Sequence, residues 1–209
     1  MLLDEALNET KPLLLLFLLV LVVFIWSAIH PHDYFTWILE VFPAIIGAVV
    51  LGLTYHKFRF TPLVYTLIAL HMMILMVGGH YTYAEVPLGD WIRNQFALDR
   101  NHYDRLGHFA QGFVPAMIAR EVLLRLNVLK RGSWLIVFVI SICLAFSALY
   151  ELLEWSVSAL TGSAGDAFLG TQGDVFDTQK DMAMALVGAV TALVTLSKLH
   201  DKQLARIDR

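Results

Sequence analysis

Residues 133–155 read SWLIVFVISICLAFSALYELLEW, an apolar block with two acidic residues, Glu151 and Glu154, near its end. A helix needs about 20 predominantly apolar residues to cross the hydrocarbon core of a bilayer, so this block predicts a membrane-spanning helix. Ionisable residues are costly in such a span and usually have a function. The block therefore predicts both an integral membrane protein and a polar site at one membrane face.

Apolar residues are distributed in the same way along the rest of the chain. Of the 209 residues, 58% are hydrophobic and 16% are charged, which is more apolar side chain than a soluble domain of this size can bury. We predict an all-α fold, a polytopic membrane bundle of about six helices in a single domain covering residues 1–209. A further segment, residues 87–98, has apolar residues that allow it to lie flat at the membrane interface. The predicted spans lie near residues 13–29, 35–55, 62–79, 106–126, 133–155 and 181–199.

Basic residues indicate the orientation, because cytoplasmic segments of membrane proteins are enriched in lysine and arginine. If both termini are cytoplasmic, the inner segments hold 11 of the 15 basic residues and the outer segments hold four. The acidic start of the chain and the lack of a small-residue cleavage site favour a retained first helix over a cleaved signal peptide. We therefore expect both termini in the cytoplasm and two long polar connections, residues 80–105 and 151–181, at the periplasmic face.

These two connections are strongly acidic. They hold ten carboxylates and four basic residues, although the net charge of the whole chain is only -3. Carboxylates crowded at a low-dielectric boundary need a cation, an arginine partner or a shared proton. The charge balance gives no sign of a nucleic-acid partner. The carboxylates are Glu85, Asp90, Asp99, Asp104, Glu151, Glu154, Asp166, Asp174, Asp177 and Asp181.

Helical spacing places several of these side chains on common faces. Asp104 and His108 are four residues apart, and Glu151 and Glu154 are three apart. Helical bundles bind metal ions with carboxylate and imidazole pairs at such spacing, so a divalent ion such as Mg, Mn, Zn or Ca is the expected cofactor. These four residues are the candidate catalytic residues. The candidate metal ligands are Asp104, His108, Glu151, Glu154, Asp174, Asp177, Asp181 and His80, and the candidate substrate-binding residues are Arg100, Arg105, His102 and Tyr81.

Each group also has a structural interpretation. The three aspartates at the start of the last span can cap the positive end of that helix. Arg105 can pair with a neighbouring acid, and His108 can be a hydrogen-bonded helix residue. Arg120 and Glu121 lie in the last turns of the fourth span, where we expect them to reach the cytoplasmic interface as anchors.

Four motifs in and beside the polar connections carry a family resemblance. They are HYTYAEVPLG at residues 80–89, RNHYDRLGHF at 100–109, YELLEW at 150–155 and GDVFDTQKDM at 173–182. They resemble the YjdF family of bacterial inner-membrane proteins over about residues 13–198, which implies a multi-pass helical protein of the bacterial inner membrane. A more distant likeness, in DRLGHF at 104–109 and in the acidic start of the last helix, is to VanZ-like membrane proteins, which are associated with glycopeptide-antibiotic tolerance. Those proteins typically have lysine where this chain has Arg105.

Three functions are compatible with such a site. The first is a metal-dependent enzyme that acts on a lipid or cell-envelope head group at the periplasmic face. The second is a non-enzymatic protein that binds such a lipid or envelope precursor. The third is a small transporter, which we rank last because transporters usually place ionisable groups near the bilayer midplane. Membrane lipids are the expected partners, and the sequence leaves open whether the bundle forms a homo-oligomer.

Overall fold

The computed structural model describes residues 2–162, 165, 168 and 170–207, with side chains from residue 11 onward. Within these residues the structure gives bounds for seven α-helices and one short 3-10 helix, and none of the residues forms a strand. The α-helices are α1 (Leu2–Ser27), α2 (Tyr34–Thr54), α3 (Pro62–Tyr81), α4 (Pro87–Phe96), α5 (Tyr103–Arg125), α6 (Ser133–Thr161) and α7 (Asp177–Ile207); the 3-10 helix is Tyr83–Glu85.

Each predicted span falls on a helix, and the predicted interfacial segment contains α4. Several helices extend beyond the predicted bounds: α1 begins at residue 2 and α5 at residue 103, α6 continues past residue 155, and α7 begins before residue 181 and ends after residue 199. Four helices, α2, α3, α6 and α7, are long and apolar enough to cross a membrane. The apolar part of α1, Lys11–Ser27, is shorter, and α5 carries five charged residues. An all-helical membrane protein is thus confirmed, whereas six spans and the orientation stay predictions.

Capping residues determine where two of the spanning helices begin. The Asp33 carboxylate accepts a hydrogen bond from the N–H of Thr36 at 2.7 Å and so caps α2. Thr61 precedes α3 and is followed by Pro62 in the first turn. Proline is tolerated there because an N–H in the first turn has no hydrogen-bond partner within the helix. A cap of this kind contributes about 1 kcal/mol to a helix.

Helices α5 and α7 run parallel and form the central pair of the bundle. Arg105 near the start of α5 contacts Asp181 near the start of α7, and Arg120 near the end of α5 contacts His200 near the end of α7. Two glycines lie where the helices touch. A Cβ added at Gly112 or Gly188 would overlap a backbone carbonyl oxygen of the other helix, so only glycine permits this approach.

Large apolar side chains cover the outside of the bundle, as expected for helices that face lipid. Leu53 on α2 is 77% exposed and Val194 on α7 is 78% exposed. On the short helix α4, Leu88, Trp91 and Phe96 are all exposed, which agrees with a helix whose apolar face lies in the membrane interface.

Replacing Gly188 with alanine is expected to lower thermal stability, because the new Cβ must displace the backbone of α5. Overpacking of this kind costs about 1–3 kcal/mol. The matched control is Gly52→Ala in α2, where an added Cβ meets nothing within 4 Å and loss of a helix glycine is neutral or stabilising. Thermal unfolding of both variants in detergent measures the difference. Equal midpoints for the two variants would contradict the close contact between α5 and α7.

Candidate functional site

Most of the predicted site residues meet where the N-terminal ends of α5 and α7 lie beside the C-terminal part of α6. They form two layers that share contacts. The arginine layer consists of Arg100, Arg105, Asp174 and Asp177. The histidine layer consists of Asp104, His108, Glu151, Glu154 and Asp181. All nine residues except Asp174 are buried, and the structure brings these nine predicted site residues together at one end of the bundle.

Arg105 is surrounded by aspartates in the arginine layer. Its Nη2 donates to Asp177 Oδ1 at 2.6 Å and to Asp174 Oδ2 at 3.3 Å. Its Nη1 donates to Asp181 Oδ1 and to the carbonyl oxygen of Asp177. The guanidinium of Arg105 therefore holds the start of α7 against the start of α5, which supports its interpretation as a structural partner of the acids.

Arg100 connects the same layer to the loop that precedes α7. Its Nη1 lies 2.5 Å from Asp177 Oδ1, and its Nη2 lies 3.4 Å from Asp104 Oδ2. The same guanidinium donates to the backbone carbonyl oxygens of Gly170 and Thr171, at 3.2 and 3.1 Å. Both predicted substrate-binding arginines thus have protein partners, and a substrate anion would have to compete with carboxylates for them.

The neighbouring residue, Asn101, fixes the loop from the other side. Its N–H donates to the side-chain oxygen of Gln172 at 3.1 Å, and the Gln172 amide donates back to its carbonyl oxygen at 3.0 Å. The Asn101 amide also donates to the carbonyl oxygen of Val86 at 3.0 Å and to Asp90 Oδ1 at 3.1 Å. The connection before α5 and the connection before α7 are therefore bound to each other through backbone groups.

Asp174 is the partly exposed member of the arginine layer. Its carboxylate accepts hydrogen bonds from Lys180 Nζ at 2.6 Å and from the N–H of Phe176 at 3.1 Å. These donors, and Lys180 most of all, hold the pKa of Asp174 below its usual value. Asp174 is therefore ionised at neutral pH and adds negative charge at the edge of the site.

His108 is the centre of the histidine layer. Its Nε2 lies 3.4 Å from Asp104 Oδ1 and 3.8 Å from Asp181 Oδ1. Its Nδ1 lies 3.6 Å from Glu151 Oε1 and 3.0 Å from Gln111 Oε1. Each ring nitrogen of His108 therefore lies near oxygen atoms, and the imidazole contacts carboxylates of three different residues.

Two groups of three side chains in this layer have the arrangement of metal ligands. In Asp104, His108 and Asp181, and again in His108, Glu151 and Glu154, one ligand atom from each residue lies within 4.8 Å of the others. His108 belongs to both groups. Mixed carboxylate and imidazole donors suit Zn, Mn or Fe, while the oxygen-rich half suits Mg or Ca.

Glu151 has an oxygen atom in this layer that no described donor satisfies. The side chain is 5% exposed, and its Oε1 atom makes no hydrogen bond with any described residue. A buried carboxylate oxygen without a donor is costly. This atom lies next to His108, where a bound cation would satisfy it.

Glu40, on α2, extends the histidine layer, and sequence reasoning missed it. The residue is 1% exposed, and its Oε2 accepts a hydrogen bond from the Tyr150 hydroxyl at 3.3 Å. The Tyr150 ring in turn lies edge-on to His108, with 6.4 Å between ring centres. A single acid inside an otherwise apolar span is itself a signal of function, and Glu40 is the one acidic residue of the predicted 35–55 span.

Three predicted site residues lie away from the two layers. His80 packs its ring against Trp26, and its Nδ1 lies 3.0 Å from the carbonyl oxygen of Ser27. Tyr81 contacts the same tryptophan. His102 is exposed at the N-cap of α5. The structure therefore does not bring His80 into either ligand group, and Asp166 lies outside the described residues.

A second polar network lies at the opposite end of α5. Glu121 is fully buried, and its carboxylate accepts hydrogen bonds from the hydroxyl of Thr61 at 2.7 Å and from Arg125 Nη1 at 2.9 Å. His200 Nε2 lies 2.9 Å from Glu121 Oε2, and His200 Nδ1 lies 2.8 Å from Arg120 Nη1. Because arginine can only donate, His200 accepts at Nδ1 and donates at Nε2.

The prediction that Arg120 and Glu121 anchor the helix at the interface is therefore wrong. Both side chains point into the bundle and are 4% and 0% exposed. Their partners come from α7 and from the residue before α3, which are distant in sequence. The network is satisfied by its own members and fixes three helices to one another.

Comparisons with known proteins agree with the membrane assignment. A protein-family model described as "Predicted membrane protein (DUF2238)" matches residues 12–202. The inner membrane protein YjdF of Escherichia coli (strain K12) is 49% identical over 185 residues, which are 88% of this chain and 88% of that protein. No solved structure matches the chain.

Replacing Arg105 with glutamine is expected to destabilise the protein by about 3–5 kcal/mol, because buried aspartates lose their counter-charge. The control is Arg93→Gln, since Arg93 pairs with Asp90 at 3.2 Å on a partly exposed surface, where such pairs contribute about 0–1 kcal/mol. The double variant Arg105→Gln/Asp181→Asn should recover part of the loss. Unfolding in mixed micelles measures all three, and equal stability of the two single variants would contradict this role of Arg105.

Proposed function

Since the chain belongs to the DUF2238 family of membrane proteins, we propose that this multi-pass inner-membrane protein binds a divalent cation in its histidine layer. We further propose that the ion and the surrounding carboxylates act on the polar head group of a lipid or cell-envelope precursor. In this proposal the protein is a metal-dependent hydrolase or head-group transferase.

The buried excess of carboxylates carries this proposal. Arg100 and Arg105 are engaged by the aspartates of the arginine layer and by Asp181. Asp104 is shared between Arg100 and His108, each at 3.4 Å. Among the described residues, Glu151 and Glu154 group with His108 and form no ion pair with an arginine, and Glu40 lies beside them; all four acids are at most 5% exposed. Buried charges of one sign need compensation, and a divalent ion between His108 and the carboxylates would provide it.

The residues of the histidine layer have the following proposed roles. Asp104 and Asp181 on one side of His108, and Glu151 and Glu154 on the other, are the proposed ligands. A divalent ion held there would polarise a phosphoryl oxygen or activate water. If only one of Glu151 and Glu154 binds the ion, the other would accept a proton as general base.

Apolar surface near the site supports a membrane substrate. Val175 and Phe176, which lie between the two aspartates of the arginine layer, are 85% and 62% exposed. Trp155, next to Glu154, is 64% exposed. Tryptophan and phenylalanine at a polar boundary are typical of residues that insert at the lipid interface. An amphiphilic substrate could approach the acids along this surface without leaving the membrane.

The proposal also includes the topology expected from the sequence. Six spans with both termini in the cytoplasm would place the two layers at the periplasmic face, because the inner segments then hold most of the basic residues. The parallel arrangement of α5 and α7, with α6 between them in the chain, is consistent with three successive crossings.

Metal binding is tested first. Protein purified from cells grown with divalent metals is expected to retain roughly one or two ions per chain after dialysis, and chelator should lower its thermal midpoint, because binding energy contributes to folding. Glu151→Gln should lose most of the metal and of the chelator response. Glu85→Gln, which changes an exposed carboxylate paired with His32, should lose neither. Metal-free wild-type protein with an unchanged midpoint in chelator would remove the proposal.

Catalysis is tested separately, with the metal-loaded protein and an extract of envelope lipids analysed by mass spectrometry. If the protein is the proposed enzyme, we expect it to convert one lipid class in a metal-dependent way, and we expect Glu154→Gln to abolish this conversion. Retention of one unchanged lipid per chain, without conversion, would instead support the second candidate, a non-enzymatic lipid or precursor binder. The exposed Val175 and Phe176 support the binder as much as they support the enzyme, because an apolar surface contributes to lipid binding and not to the chemical step.

A further inference from the structure

A basic pocket lies at the end of the bundle opposite the two layers. It is a cavity of about 530 Å³ between the α5–α6 turn and the end of α7. The α5 helix has 23 residues, so this pocket lies about 34 Å from the start of α5 at 1.5 Å per residue, close to the thickness of a bilayer core. The lining residues are Leu124, Arg125, Asn127, Leu129, Lys130, Arg131 and Leu204.

The charge of the pocket is positive and only partly compensated. Arg131 Nε donates to Asp201 at 3.1 Å, but Asp201 also accepts from Arg120 at 2.7 Å. Arg125 uses its Nη1 for Glu121 and for a backbone carbonyl oxygen. Lys130 is exposed, and among the described residues it takes part in no ion pair.

Exposed apolar side chains flank the basic lining residues in the sequence. Leu126 and Val128, in the α5–α6 turn, are 58% and 61% exposed, and Trp134, in the first turn of α6, is 70% exposed. Tryptophan is enriched at the level of the lipid head groups. The chain therefore presents lysine and arginine donors at the predicted membrane boundary, with exposed apolar side chains near them in the sequence. This combination is complementary to a phospholipid, which has a phosphate joined to acyl chains.

We propose that the basic pocket binds the phosphate of an anionic membrane phospholipid. The lipid phosphate accepts hydrogen bonds from Lys130 and from the terminal nitrogens of Arg131, and the acyl chains lie against Leu126, Val128 and Trp134. Basic pockets between membrane helices recognise anionic head groups by this combination of charge and apolar contact. This proposal is independent of the metal site, because the two lie at opposite ends of α5.

The test compares the double variant Lys130→Gln/Arg131→Gln with the control Lys57→Gln/Lys202→Gln. The control removes the same charge from exposed residues outside the pocket lining. Purified protein is titrated with phosphatidylglycerol or phosphatidylcholine in detergent, and the thermal midpoint is measured. We expect phosphatidylglycerol to stabilise the wild type and the control alike. The pocket variant should bind phosphatidylglycerol about thirtyfold more weakly, because each of the two basic residues contributes roughly 1 kcal/mol to binding an anionic lipid.

Three outcomes would overturn the proposal. One is equal stabilisation of the wild type by phosphatidylcholine and phosphatidylglycerol. Another is an equal loss in the pocket and control variants, which would indicate general surface charge. The third is the same midpoint shift with inorganic phosphate, which would indicate a site for the free anion. Equal midpoints of the two variants in phosphatidylcholine establish that the pocket variant is folded.

Discussion

The pairing of two arginines with the aspartates at the start of α7 is the interaction on which the rest of the site depends. Without Arg100 and Arg105, the acids of α5 and α7 would repel one another at a boundary of low dielectric constant. With them, the start of α7 is held against α5. His108 on α5 then lies near Asp181 on α7 and near Glu151 on α6. The arginines thus assemble a cluster that still has more carboxylates than cations.

The same two helices are fixed at three levels along their length. Ion pairs hold their N-terminal ends, the glycine contacts at Gly112 and Gly188 hold the middle, and the Glu121–His200–Arg120 network holds the other end. Small residues and interhelical hydrogen bonds replace the hydrophobic effect as the source of helix association in lipid. The histidine layer is therefore built on helices that are held together along their whole length, as the proposed metal site would require.

Hydropathy predicted the helices well, because a spanning helix needs a long apolar block and this requirement is local in sequence. Spacing likewise brought out Asp104 with His108 and Glu151 with Glu154, since neighbours on one helix share a face. Contacts between distant helices were not predictable in this way. Glu40 has no acidic neighbour in sequence, and the distant partners of Glu121 come from the residue before α3 and from α7. The role of Arg105 stayed open until the structure showed three aspartates around its guanidinium.

The hydrogen bonds from Arg100 to Gly170 and Thr171 make that one guanidinium responsible for both charge compensation and loop position. The Nη1 atom of Arg100 donates both to Asp177 Oδ1 and to the carbonyl oxygen of Thr171, so one nitrogen serves the ion pair and the loop contact. Replacement of Arg100 would therefore remove the counter-charge of Asp177 and two backbone contacts of residues 170–171 in one step.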